Sequence, residues 1–262
     1  MRAYADFADR PTTGKLDDQL VKSNNPGAPF APLGIVVGDN GTLYVADLGD
    51  LGNAEPEEFP GRIAKYDSET GEFLGNLTVF DETKGPRGLV FGPDGLLYAS
   101  LRTTGGLGGE VRRFNVATEI GNVFINDAGG SGKLNRPEGL VFNPDDGFLY
   151  ITSFRADTGD TDSIRIYDNS GVFVDKIDLY QVGIQPRVFA QALLFGPEGK
   201  LFVPITGGAP LPDGTPPPLG QVRGYDVGTK NFDAFVPSGG PLKSGWYLTF
   251  GNTNAGTLAY EP

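Results

Sequence analysis

Cysteine and histidine are both missing from the 262 residues. Without cysteine there is no disulfide, no thiolate nucleophile and no Cys-ligated metal. Without histidine, the usual general base near neutral pH and the commonest metal ligand are gone. Ser-His-Asp triads and His-ligated zinc sites are therefore excluded. No stretch approaches 18 consecutive apolar residues, so no membrane insertion is expected. The opening MRAYADFADRPTTGK has no apolar run of the kind a secretory leader carries. Basic residues are outnumbered, 21 to 33, and the formal net charge is −12. Such a surface repels phosphate backbones, so no nucleic-acid partner is expected.

What the chain does have is 40 glycines, 21 prolines, 18 phenylalanines and 10 tyrosines. The aromatic content supplies a core, and the Gly and Pro read as punctuation between short elements. One phrase recurs: PLGIVVGDNGTLYVAD from residue 32, PRGLVFGPDGLLYAS from 86, PEGLVFNPDDGFLYITS from 137 and AQALLFGPEGKLFVPI from 190, with a looser copy, GWYLTFGNTNAGTLAY, from 245. The first four starts lie 54, 51 and 53 residues apart. Each copy is an apolar strand, a tight turn such as Asn40-Gly41, Asp94-Gly95 or Asp146-Gly147, and a second strand with alternating bulky residues.

A second hairpin phrase follows each of the first four: GRIAKYDSETGEFLGNLTV, GEVRRFNVATEIGNVFI, SIRIYDNSGVFVDKIDL and GQVRGYDVGTKNFDAFV. One repeat is thus four antiparallel strands in about 52 residues, the size of a propeller blade. The expected fold is all-β, a single five-bladed β-propeller domain over residues 1–262. Four blades fall near 32–81, 86–127, 137–180 and 190–237. The fifth joins 241–262 to 1–25, so the two termini close the ring and hide two sheet edges.

The P-x-G-L-x-F-x-P-D-G-x-L-Y-V phrase and the following I-x-x-Y-D-x-x-T-G-x-F phrase resemble the NHL-repeat and SMP-30/gluconolactonase-like propellers. The resemblance spans nearly the whole chain. It implies the fold, and it leaves hydrolases, lyases and pure binding modules all open. It also implies that a lactonase of this group would bind a divalent cation through Glu, Asn and Asp at inner positions of different blades. Only Glu138 matches that chemistry in place, and Arg87 stands where a ligand would.

Strand order puts the short turns on one face and the longer loops on the other, where function concentrates. The x of P-x-G rings the channel mouth: Leu33, Arg87, Glu138, Gln191 and Trp246. Asp47, Arg102, Arg155 and Thr206 end the second strands nearby. Arg87, Glu138, Gln191, Trp246, Tyr247, Asp47 and Arg155 together read as a polar, partly aromatic cup for a sugar-like or acidic small molecule. An Arg87–Glu138 ion pair plugging the channel, and Trp246 as inter-blade packing, are the plainer readings of the same residues. Glu138 with Asp47 is the carboxylate pair a hydrolase would use. Two loops are acidic: Asp47, Asp50, Glu55, Glu57 and Glu58, and Asp157, Asp160 and Asp162. The second is the candidate for Ca²⁺, because three Asp fall within six residues; solvated Asx turns are the alternative.

Three functions are carried forward. The first is a monomeric, extracytoplasmic binding module for a small polar ligand or a protein partner. The second is a carboxylate-based or divalent-metal-dependent hydrolase or lactonase at the channel mouth. The third is a structural scaffold.

Overall fold

Among the described residues, sixteen strands form four sheets of four, each antiparallel and each built from strands consecutive in sequence. The computed structural model describes residues 20–50, 59–104, 106–126, 132–157, 159–180, 188–206 and 220–261. The first blade holds β1 (Pro32–Val37), β2 (Thr42–Asp47), β3 (Arg62–Asp67) and β4 (Phe73–Val79). The second holds β5 (Lys84–Phe91), β6 (Leu97–Thr103), β7 (Gly109–Asn115) and β8 (Ile120–Ile125). The third holds β9 (Leu140–Phe142), β10 (Leu149–Ser153), β11 (Ser163–Tyr167) and β12 (Phe173–Asp178). The fourth holds β13 (Leu194–Phe195), β14 (Leu201–Ile205), β15 (Gln221–Tyr225) and β16 (Phe232–Val236). The fold is an all-β propeller.

The repeated phrases form these hairpins because their turns are chemically specified. Asn40, Asp94 and Asp146 each turn a side-chain oxygen onto the N–H two residues on, at 3.1, 3.1 and 2.8 Å. The glycine that follows each has φ of 74°, 75° and 72°, a conformation that costs glycine little. The second hairpins begin on Asp67, Asn115, Asp168 and Asp226, whose side chains accept turn N–H groups in the same way. In Asp67 and Asp226 the bonds from Thr70 and Thr229 hold the carboxyl below the usual carboxylate range.

The middle strands of the blades are the most buried. β2, β10, β11 and β14 are buried at every position, while the outermost β8 and β16 are mostly exposed. Neighbouring blades are joined by one repeated contact. The aromatic of each second strand meets, edge to face, the phenylalanine that ends the next blade's first strand. The pairs are Tyr44–Phe91 at 5.7 Å, Tyr98–Phe142 at 4.9 Å and Tyr150–Phe195 at 5.2 Å.

The expected fifth blade is only partly traceable. Residues 1–19 lie outside the described residues, and 245–261 hold one isolated bridge, Thr253 to Tyr260, rather than a strand pair. Two contacts tie this segment to the fourth blade. Phe202 meets Phe250 at 4.9 Å in the same edge-to-face manner, and the Thr206 hydroxyl donates to the Gly245 carbonyl at 2.9 Å. On the far side of the gap, Val21 packs on Leu43, Val45, Ala64 and Tyr66, the side of the first blade turned away from the second.

The segment after Phe250 bends inward instead of pairing. The Ala255 and Gly256 carbonyls accept bonds from the N–H groups of Val37 and Phe91 at 2.9 and 3.0 Å. Leu258 packs against three separate core clusters. The channel therefore has a floor at the short-turn end.

Candidate functional site at the channel mouth

The P-x-G phrase is where neighbouring blades meet. β1 and β5 each carry a bulge across it, between Pro32 and Ile35 and between Pro86 and Leu89. At this point the blades nearly touch. A Cβ placed on Gly34 would sit 2.5 Å from the Arg87 carbonyl oxygen. On Gly88 it would sit 2.6 Å from that of Glu138, and on Gly139 2.7 Å from that of Gln191. Only glycine admits such approach. The chain of contacts also fixes the order of the x residues around the mouth: Leu33, Arg87, Glu138, Gln191. In the fourth blade the position is Ala192, a residue that already carries a Cβ.

Glu138 is the centre of the site and is 2% exposed. Arg102, at the end of β6, places Nη2 2.5 Å from Oε1, and Arg87 places Nη1 3.7 Å from Oε2. The Arg102 guanidinium also lies over the Phe154 ring, 4.9 Å from its centroid, and Phe154 is itself set edge to face on Phe189. Behind the carboxylate, the Ser100 hydroxyl accepts the Gly88 N–H at 2.9 Å and donates to the Glu138 carbonyl, tying the second blade to the third.

The charge arithmetic is uneven: two guanidiniums face one carboxylate. The geometry is uneven too. The buried Oε1 of Glu138 and Nε of Arg87 each lack a hydrogen-bond partner among the described residues, the close Arg102 contact being an ion pair without hydrogen-bond alignment. Burial pushes the Glu138 carboxyl up from its ordinary value, with Arg102 and then Arg87 opposing. Tyr247 stands at the same mouth, half of its surface open. The surrounding protein and the Glu138 charge push its phenol up, and Arg87 opposes. Trp246 beside it is 49% exposed, with its indole N–H on the Ser244 hydroxyl at 3.1 Å.

Below the mouth lies a cavity of about 490 Å³. Its lining differs from the polar cup expected from the sequence. One step deeper than the x residues stand Ile35, Leu89, Leu140, Leu193 and Leu248, with Leu258 at the floor; the cavity also reaches Leu20, Val37 and Leu43 on the outer side of the first blade and the polar Thr249, Thr253 and Asn254.

Other residues singled out in the sequence are occupied elsewhere. Asp47, 1% exposed, does not join Glu138 as a second reactive carboxylate. Its Oδ1 accepts the Ala31 and Gly49 N–H groups at 2.8 and 3.4 Å, and its Oδ2 accepts Phe30 N–H at 3.1 Å and Arg62 Nε at 3.0 Å. It pins the connection into the first blade. Asp162 does the same for the fourth, accepting Val188 and Phe189 N–H at 2.9 and 3.0 Å and Arg155 N–H at 2.8 Å. Asp160 accepts Ala156 and Thr161 N–H, and Asp157 accepts Gly159 N–H. The expected Ca²⁺ trio is thus turned onto backbone, and no group of three metal-ligating side chains occurs among the described residues. Gln191 is half-buried in the mouth ring, and Arg155 sits in the loop after β10. Glu55, Glu57, Glu58 and the proline-rich loop at 207–219 lie outside the described residues.

No protein-family model and no curated protein matches the chain. Solved structures do. TolB from Acinetobacter baumannii is 18% identical with a TM-score of 0.50, covering 79% of this chain and 43% of its own. A protein of unknown function from Bacteroides caccae is 12% identical with a TM-score of 0.48, covering 77% and 58%. The calcium-binding protein regucalcin from Agrobacterium tumefaciens is 16% identical with a TM-score of 0.44, covering 83% and 65%. The chain spans about half the length of the first two. At these identities the likeness concerns the fold alone: the chain is similar to β-propellers of several functions.

Proposed function

We propose that the protein is a binding module that takes a small acidic ligand at the channel mouth, its acid group held by Arg87 and Arg102. The observation that carries this is the Arg87 guanidinium, 3.7 Å from the buried Glu138 carboxylate and with its Nε lacking a hydrogen-bond partner among the described residues, on a protein whose net charge is −12. Arginine forks suit planar acids, and partial burial strengthens the pairing. Tyr247 and Trp246 supply an aromatic wall with a polar edge. In this reading Glu138 orients the two guanidiniums and is not a nucleophile. The hydrolase reading lacks its second carboxylate, because every oxygen of Asp47 is spoken for. The reading also holds that the ring has five blades, with 245–261 completed by N-terminal strands. Phe202–Phe250 and the packing of Val21 support that closure. Kinship with the SMP-30-like propellers would then extend to architecture while the site chemistry has changed.

Trp246 is the sole tryptophan and stands at the mouth, so its emission reports occupancy. Titration with acetate and with tartrate is expected to change that emission saturably, and Arg87→Gln is expected to abolish the change. A saturable signal identical in wild type and Arg87→Gln would remove the arginine from the site.

A further inference from the structure

The mouth and the cavity beneath it differ in chemistry, and the difference specifies a ligand class. We infer that the natural ligand is an amphipathic carboxylic acid: a carboxylate at Arg87 and Arg102, and an aliphatic or aryl body in the channel. The inference rests on the proposed acid-binding mouth and goes beyond it by assigning the body.

Four observations converge. First, the aliphatic collar is continuous around the channel, Ile35, Leu89, Leu140, Leu193 and Leu248, with no charged side chain among the lining residues. Second, Ile35 lies on an innermost strand yet is 37% exposed, and the cavity is what it is exposed to. An apolar side chain left open inside a channel is stabilised when another apolar surface covers it. Third, the space is closed below. The Ala255 and Gly256 carbonyls are bonded to β1 and β5, and Leu258 stands at the floor, so the body of a ligand entering at the mouth stops there. Fourth, collar and guanidinium belong to the same strand. Gly88 and Leu89 line the cavity directly after Arg87, and Gly139 and Leu140 directly after Glu138. Tyr247 lines the cavity and also feels the charges of both Glu138 and Arg87. One molecule can therefore touch the charged rim and the collar together.

The dimensions set the size of the ligand. About 490 Å³ falls within the range of small-molecule pockets. From Gly34 to Val37 the innermost strand advances about 10 Å at the rise of an extended chain. A straight chain on the order of eight carbons fills that length. A sugar does not suit the channel, because each hydroxyl buried against the collar would lose its water without gaining a partner.

The test is a homologous series of straight-chain acids from acetate to decanoate, each below its micelle concentration, titrated into the full chain by calorimetry. Octanol, decanol and tartrate serve as comparisons. Each methylene is expected to tighten Kd about fourfold, the equivalent of about 0.8 kcal/mol, until the channel is full. Octanol is expected to bind at least tenfold more weakly than octanoate. Ile35→Trp, which fills the collar from a side chain already exposed, is expected to flatten the series beyond butyrate. If Ile35→Trp fails to fold, the wild-type series decides alone. Acids that bind with no dependence on chain length, tartrate included, would overturn the apolar body and leave the acid-binding mouth standing. Octanol matching octanoate would overturn the joint recognition. No binding by any acid would overturn the mouth reading, and this inference with it.

Discussion

Replacing Gly88 by alanine tests the contact between the second and third blades that builds the site. The new Cβ would lie 2.6 Å from the Glu138 carbonyl oxygen, 2.6 Å from Leu140 Cδ2 and 3.2 Å from Ser100 Oγ. Ordinary contact begins near 3.4 Å, so the third blade must retreat by roughly 0.8 Å at the residue that carries the central carboxylate. Overpacking of this kind costs about 1–3 kcal/mol. The stiffer unfolded chain returns about 0.4–1 kcal/mol, because Gly88 has no left-handed φ that alanine would strain. The net expectation is a loss of about 1–2 kcal/mol, or roughly 2–8 °C in Tm for a chain of this size. Gly240 supplies the control. Its Cβ would meet nothing nearer than 4.0 Å, so Gly240→Ala should be neutral or slightly stabilising. Urea unfolding of both variants beside wild type is the assay. If Gly88→Ala were as stable as Gly240→Ala, the close approach of the second and third blades at the P-x-G step would be refuted.

Further predictions address the charges. Glu138 has a folded-state pKa raised above 4.5, so its protonated form favours the folded state. As pH rises from about 4.5 to that folded value, wild type should lose stability relative to Glu138→Gln by up to about 1.4 kcal/mol per pH unit; urea titrations between pH 4 and 7 showing wild type gaining instead would contradict it. Asp47→Ala strands the buried end of Arg62 and three backbone N–H groups, and should cost about 3 kcal/mol in urea. Asp162→Ala releases three N–H groups, of Arg155, Val188 and Phe189, and should also destabilise, by about 1–3 kcal/mol. Millimolar Ca²⁺ should leave Tm where chelator leaves it, because Asp157, Asp160 and Asp162 are turned onto backbone; a rise that saturates with Ca²⁺ would show a site.

Much of this was written in the repeat. The P-x-G phrase named the residues around the mouth, and the Asn-Gly and Asp-Gly turns marked the hairpins, because both are local devices whose chemistry needs no distant partner. Phe91, Phe142 and Phe195 were visible as a recurring letter, although their edge-to-face contacts with the preceding blade were not. Arg102 was placed near the mouth, yet its closure on Glu138 depends on how far the third blade leans in, and spacing carries no such distance. The roles of Asp47 and Asp162 were missed for a related reason. A carboxylate that ends a second strand or begins a third looks the same in sequence whether it faces solvent, a metal or the N–H groups of a connection between blades. The apolar collar was legible in hindsight as the I/L after each P-x-G, but a strand of alternating aliphatics gives no sign of which face looks into an empty channel. The inward bend after Phe250 had no signal in the sequence at all.

The central claim is that two arginines at the channel mouth hold an acid. Calorimetric titration of octanoate into wild type, Arg87→Ala and Arg102→Ala tests it most directly. A charged hydrogen bond of about 1.5–3 kcal/mol predicts that each substitution weakens Kd by roughly ten- to a hundredfold while the fold, read by its melting transition, persists. An unchanged Kd in both variants would contradict it.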